Sequence, residues 1–386
     1  MKVNGTAVKA HKRIMGTVYL ILFKGISINW QEFSIIILPT KNNKLLMTND
    51  LFGSLFDLQD NRLDKLGNPL LALDETIDWD RFRKTLNRVN KKQSKGKAGA
   101  KPKDVVMMFK GLVIQNLYGL SDDQLEYQIE DRRSFQRFLG LNNHQRSPDA
   151  KTFWAFRNRL SELNLADKLF DELSRQLNKA GYVARQGQIV DASIVPAPVQ
   201  RNTREENGRI KQGDVPEDWE ENKLRQKDVD ARWTKKHGKS HYGYKNHINV
   251  DNKNKLIRSY DVSDASVHDS NVFEELLDAD NSSADVWADS AYSSQEKEEN
   301  LSELGYRSRV HRKGKRGKPL SDRSKKANTK KSRVRCRVEH VFGSQSDLRK
   351  KAIRSIGIIR ARTEIGMMNI VYNMRRFCFL ERVSAP

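Results

Sequence analysis

Cysteine is nearly absent. The 386-residue chain has two, Cys336 and Cys378, and no Cys-x-x-Cys pair. That argues against a thiolate zinc site and a disulfide-stapled scaffold. Long apolar runs are missing too. None reaches the roughly 18 residues expected of a membrane span. Ile14 to Phe23, behind Lys9, Lys12 and Arg13, looks superficially like a signal peptide. No small-residue cleavage site follows, and a second apolar run, Phe33 to Leu38, does. Residues 1–46 are therefore expected to be an upstream extension, with the working protein starting at Met47. Acid is the third scarcity: 49 Asp and Glu stand against 71 Lys and Arg, a net charge of +22. Such an excess suits a polyanionic partner, because each neutralised phosphate releases a condensed counterion. Charge alone does not separate a nuclease from a ribosome-like or membrane-surface protein. With 37% hydrophobic residues, the chain is expected to fold around a core.

No internal repeat is visible. Residues 47–103 read as a lead-in segment and linker, with a short helix from Asp78 to Val89 and a Lys/Gly-rich stretch from Asn90 to Lys103. Residues 104–181 read as an all-helical N-terminal domain, its first stripe being Val105, Met108, Phe109, Leu112 and Val113. Further helices are expected at Ser121 to Glu130, Arg133 to Leu139, Ser147 to Leu160 (Ser147 as N-cap, Pro148 next) and Ala166 to Ala180. From residue 182 the period changes. Strands are expected at Gln188 to Val195, His241 to Asp251, Lys255 to Ser263, Ala284 to Tyr292 and Tyr306 to His311, with a helix at Ser294 to Leu304. A charged insertion, about 200–240, separates the first two strands, and a basic helical segment, 349–386, closes the chain. The fold class is thus α/β: a mixed sheet flanked by helices over 182–348, behind a helical domain.

Aspartate is depleted in strands, yet Asp191 lies within Ile-Val-Asp-Ala-Ser-Ile-Val and Asp289 within Val-Trp-Ala-Asp-Ser-Ala-Tyr. An acid there is costly unless a divalent cation compensates it. Glu339 is expected on a helix with Val334, Val338, Val341 and Phe342 inward. Arg335, four residues earlier, would share its face. Three carboxylates suit phosphoryl transfer, in which two Mg²⁺ ions about 3.5–4 Å apart stabilise the attacking and leaving oxygens. The plainer readings are solvated surface acids and an i,i+4 ion pair. Asp251, Asp261, Asp264 and Asp269 compete. Asp251 fits a hairpin turn better, and Asp264, His268 and Asp269 fit a helix start.

Six passages carry a resemblance: 187–207 (GQIVDASIVPAPVQRNTREEN), 225–251 (RQKDVDARWTKKHGKSHYGYKNHINVD), 262–278 (VSDASVHDSNVFEELLD), 284–294 (ADVWADSAYSS), 311–321 (HRKGKRGKPLS) and 333–343 (RVRCRVEHVFG). Together with the helical region they resemble the insertion-sequence transposases of family five, within the DDE class that has an RNase H-like core. The resemblance implies that Asp191, Asp289 and Glu339 are the catalytic and metal-binding carboxylates, with Mg²⁺ as cofactor and Mn²⁺ as the substitute. Tyr292 matches the Tyr of an Asp-x-x-Tyr motif and supports the site. Arg335 matches the Arg of a Tyr-Arg-Glu-Lys signature. Ser332 and Ser346 stand at its Tyr and Lys positions, and Arg349, Lys350 and Lys351 are candidates to replace the Lys. The partners implied are terminal inverted repeats, target DNA and a second copy of the chain; the setting implied is the bacterial cytoplasm.

The basic run entering the Glu339 helix has thirteen Lys or Arg between Arg312 and Arg337. Arg312, Lys313, Lys315, Arg316, Lys318 and Arg335 are its candidate DNA contacts, set against a merely solvated surface. Lys151, Arg157 and Arg159 make the 147–160 helix a candidate helix-turn-helix reader, set against a core helix on account of Phe153, Trp154 and Phe156. Trp233 in the insertion is a candidate for stacking on an unpaired base, against local packing. The rivals to a transposase are a nuclease that cuts without joining and a non-catalytic DNA-binding relic.

Overall fold

The computed structural model describes residues 60–90, 101–142, 145–236, 238–314, 317, 319–348 and 353–384. The expected start at Met47 and most of the 90–103 linker lie outside them. The helical region begins with α1 (Pro69–Thr76) and a mixed 3₁₀ and α stretch over 79–90. It continues through α2 (Val105–Tyr118), α3 (Asp122–Asp131), α4 (Arg133–Leu139), α5 (Ala150–Glu162) and α6 (Ala166–Lys179). Its starts are chemical. The Asp104 carboxylate accepts from the Val106 and Met107 amides, and Ser121 and Gln124 form a capping box. The start of α5 is later than expected. Asp149, not Ser147, accepts from the Thr152 amide at 2.7 Å, while the Ser147 hydroxyl donates to Glu130. An ionised carboxylate suits the positive helix end better than a hydroxyl.

The sheet is mixed. β1 (Gln188–Pro196) runs antiparallel to β3 (Lys239–Asp251) on one side and parallel to β5 (Asp285–Trp287) on the other; β6 (Arg307–Ser308) continues parallel. β3 also pairs with β2 (Arg232–Lys236) near its start and with β4 (Ile257–Asp264) along its later part. Two short helices, α7 (Arg204–Gln212) and α8 (Glu221–Gln226), occupy the charged insertion. After β5 come α9 (Gln295–Glu303), α10 (Asp322–Arg335), α11 (Arg337–Leu348) and α12 (Ile358–Ser384). Among the described residues no helix is long and apolar enough to cross a membrane.

Two differences from expectation bear on the site. β5 stops at Trp287 instead of reaching Tyr292, because the Asp289 carboxylate turns back to accept from the Ala291 amide at 2.6 Å and opens a 3₁₀ turn, Ser290–Tyr292. The helix expected to carry both Arg335 and Glu339 on one face is two helices. α10 ends at Arg335, Cys336 (ψ −11°) interrupts, and α11 restarts at Arg337.

The C-terminal helix is the spine. Its Met367, Ile370 and Met374 are buried in a core cluster with Phe109, Ile189 and Ile248, and its Ile365 in a second one with Val195 and Tyr244. Asn369 and Asn373, one turn apart, fasten it. Asn369 exchanges hydrogen bonds with Asn246 of β3 (2.9 and 3.1 Å), and Asn373 brackets the Ile257 amide and carbonyl of β4 (2.9 and 2.8 Å). Buried amides persist in a core when paired in this way. Gly366 lets the helix approach closely, since a Cβ there would stand 2.5 Å from the Tyr260 hydroxyl oxygen.

Candidate active site

Asp191 sits in the middle of β1, between buried Val190 and Ala192, with its side chain 13% exposed. One carboxylate oxygen accepts from the Ala192 amide at 2.8 Å. The other accepts from the Arg335 guanidinium at 2.7 Å. Burial pushes this carboxyl up to about 6; Arg335 pulls the other way, and the negative charge of Asp289 adds to the rise. So the last turn of α10 brings a cation onto an acid in the central strand.

Asp289 lies two residues beyond β5, the strand parallel to β1, and caps the turn that buries Tyr292. Tyr292 is 1% exposed, packs against Phe273 with ring centroids 5.0 Å apart, and feels the charges of Asp191, Asp269 and Asp289. β1 and the turn after the adjacent parallel strand β5 thus bring Asp191 and Asp289 into one field.

Glu339 stands apart. It lies in the first turn of α11, exposed, and its carboxylate makes no hydrogen bond or ion pair among the described residues. The expected partnership with Arg335 does not form, because the break at Cys336 turns Arg335 toward β1. Val338 and Val341 are buried as expected, and Val334 and Phe342 partly so. Among the described residues no three Asp, Glu, His or Cys side chains are gathered as a metal-binding group. Asp191 and Asp289 nevertheless fit a hard divalent cation. They are oxygen donors of like charge, and burial keeps the first costly to ionise even with Arg335 beside it.

Beside these acids runs the basic segment. The His311 amide donates to the Ala288 carbonyl at 3.1 Å, which places the chain next to Asp289. Asn328 then holds both the amide and carbonyl of Arg312 at 3.0 Å. Arg312 and Lys313 are exposed, and no residue of α10 is buried. Lys315, Arg316 and Lys318 lie outside the described residues, as do Arg349, Lys350 and Lys351; Ser346 donates to the Gly343 carbonyl within its own helix.

The competing acids have structural duties. Asp251 is fully buried, accepts from the Lys253, Asn254 and Leu256 amides, and pairs with Arg258 at 3.2 Å, as a hairpin turn requires. Asp264 accepts from the Ser266 amide, Asp261 pairs with Arg362, and His268 caps the 3₁₀ turn Asp269–Val272. Asp269 pairs with buried Lys245 at 2.8 Å, a contact that linear reading had no way to see. The helix-turn-helix reading of α5 loses its central residue. Arg157 is clamped by both oxygens of Asp122 at 2.7 Å and by Gln115, Arg159 pairs with Glu162, and Phe153 and Phe156 are buried. Lys151 and Trp154 remain exposed. Trp233 is 47% exposed and leans on Tyr242 across β2 and β3, so it has local packing.

Residues 184–374 match the sequence family described as "Transposase DDE domain", and residues 57–159 match "Transposase domain (DUF772)". Among solved structures, the cryo-EM structure of a piggyBac transposase synaptic complex with hairpin DNA is similar at 13% identity and a TM-score of 0.44, covering 82% of each chain.

Proposed function

We propose, for a chain that is a DNA transposase of the DDE class, that Asp191, Asp289 and Glu339 form its reaction centre. The substrates would be the ends of an insertion sequence of the family-five type, cut and then joined to target DNA in the cytoplasm. The observation that carries this reading is the pairing of an acid within β1 with an acid two residues past the adjacent parallel strand β5. Asp191 is buried where a lone carboxylate is costly, and Asp289 lies within its field.

DDE transposases generally use divalent metal ions. Mg²⁺ would be held here by Asp191 and Asp289, with Glu339 as the third ligand from α11. Bound ions supply charge stabilisation at the phosphate. The protein's own groups do the rest. Arg335 keeps Asp191 ionised and offers its remaining donors to a phosphate oxygen. Arg312, Lys313 and the exposed face of α10 hold the DNA backbone and fix its register. Water attacks the phosphodiester at the element end and the P–O3′ bond breaks; the freed 3′-hydroxyl then attacks a target phosphodiester, whose own P–O3′ bond breaks to release a target 3′-hydroxyl. Both steps are direct displacements, so no Tyr or Ser nucleophile is assigned. Pairing of two ends by a homodimer completes the proposal.

The test is a joining assay. Protein, Mg²⁺ and DNA carrying the element's own ends are incubated with a supercoiled target. Joined products support transposition, cut ends without joined products identify a nuclease, and binding without cutting identifies a relic.

A further inference from the structure

In the sheet order β2-β3-β1-β5-β6, β2 and β6 lie on opposite sides of the two strands that position Asp191 and Asp289. β1, β5 and β6 run parallel, so the end of β1, Asp289 and Arg312 all lie toward one end of the sheet. β3 passes beyond that end. β1 stops at Pro196, level with Gly243, and Lys239 to His241 pair with β2 alone. The result is a two-stranded ribbon. A Cβ at Gly243 would stand 2.3 Å from the Val195 carbonyl oxygen, so the base of the ribbon is pressed against β1. Trp233 and Tyr242, ring centroids 5.3 Å apart, brace it.

The ribbon carries no acid. None occurs between Asp230 and Asp251, while Arg232, Lys235, Lys236 and Lys239 fall in β2 and at the start of β3. Arg232 is engaged by the Val229, Ala231 and Ile210 carbonyls. The three lysines are exposed, and none forms an ion pair among the described residues. Lys236 and Lys239 stand directly opposite each other. Like charges so placed destabilise a strand pair. Lysines can keep a free edge from pairing with another sheet, but that duty belongs to β2 and does not call for a second lysine facing the first. A braced ribbon that gathers uncompensated cations suits a polyanion. A two-stranded ribbon is also slim enough to enter the major groove of a duplex. The charge of Lys236 is felt at the Asp191 carboxyl, so the ribbon is within electrostatic reach of the acids.

We propose that the β2–β3 ribbon is a second grip on DNA, with Lys235, Lys236 and Lys239 holding backbone phosphates on the side of the centre away from Arg312 and α10. The contacts are to phosphate, so they position the duplex without reading its sequence. The inference rests on the proposed reaction centre for which duplex the ribbon holds.

The experiment compares full-length wild type with two triple variants, Lys235→Gln/Lys236→Gln/Lys239→Gln and the same three positions changed to Arg. Binding to end DNA and to scrambled DNA of equal length is followed by anisotropy over a range of salt, without Mg²⁺ so that nothing is cut. The Gln variant should bind both DNAs more weakly, with a log–log salt slope lower by about 2–3, roughly one per phosphate contact. The Arg variant should keep the wild-type slope. The thermal midpoint of the Gln variant should not fall, since a repulsion is removed. A benzophenone amino acid in place of Ser240 should photo-crosslink to end DNA on one side of the cut position only. An unchanged slope in the Gln variant, or no crosslink from position 240, would overturn the proposal. Asp191→Asn separates it from the reading of the centre. If that variant is inactive and the Gln slope is unchanged, the ribbon inference alone fails. If Asp191→Asn cleaves normally while the slope falls and the crosslink forms, the ribbon stands and the carboxylate assignment fails.

Discussion

Asp191 accepts a guanidinium on one oxygen and a backbone amide on the other, yet its carboxyl is still pushed up to about 6. Burial outweighs both. The sign follows from linkage. An acid whose folded pKa lies above its unfolded value holds its proton more tightly when folded. It therefore penalises the fold above that pKa, and the penalty fades as the pH falls through about 6 toward the ordinary value of 3.8. The unfolding free energy of Asp191→Asn, compared with wild type in metal-free buffer, should thus gain about 3 kcal/mol as the pH rises from about 4 to about 8. Urea unfolding across that range measures it, and a flat difference would contradict the burial argument. Asp191 was legible in the sequence because an acid inside an apolar strand breaks a local rule. The Arg335 contact was not, because it joins residues distant in the chain, whereas the i,i+4 rule pointed to Glu339.

Helices and strands showed their periods well and their ends less so. The stripe of α2 is buried where spacing placed it, and α4 and α6 span the ranges expected within a residue. The end of β5 and the break at Cys336 did not follow from spacing, since side-chain-to-backbone bonds and tertiary packing decide such points within a few residues. The same limit left the reading of α5 open between a DNA reader and a core helix. Charged residues on a helix suggest a DNA reader, but Arg157 is consumed by Asp122 and Gln115. Arg157→Ala should therefore lower stability by about 2–4 kcal/mol, by leaving Asp122 without its partner. Folded variant should bind DNA nearly as wild type does. Chemical denaturation and a binding isotherm below the melting range test both; a selective loss of DNA affinity with normal stability would restore the reader. Removing the α5 cap with Asp149→Ala should cost about 1 kcal/mol by the same denaturation measurement.

At the scale of the whole molecule, the net charge of +22 acquires a place. The exposed segment at Arg312 and Lys313 leads to α10, whose last residue reaches Asp191. DNA affinity should fall steeply with salt. Lys313→Gln and Lys330→Gln, at exposed positions, should each lower the log–log salt slope by about 1 and weaken binding evenly across sequences. Fluorescence anisotropy at several salt concentrations measures this, and an unchanged slope would remove those residues from the DNA path. Composition announced the charge but not the geometry, which depends on the chain after β6 bonding to Ala288 and on the end of α10 reaching Asp191.

The central claim is that three carboxylates from β1, the end of β5 and α11 act as one centre. Its most direct test is single-turnover cleavage of element-end DNA in Mg²⁺ by Asp191→Asn, Asp289→Asn and Glu339→Gln, with DNA binding measured in parallel. Loss of cleavage in all three, with binding retained, is the predicted result. Full cleavage by any one of them would contradict the claim, and for Glu339, exposed and without a partner among the described residues, it would mean that the third ligand comes from elsewhere.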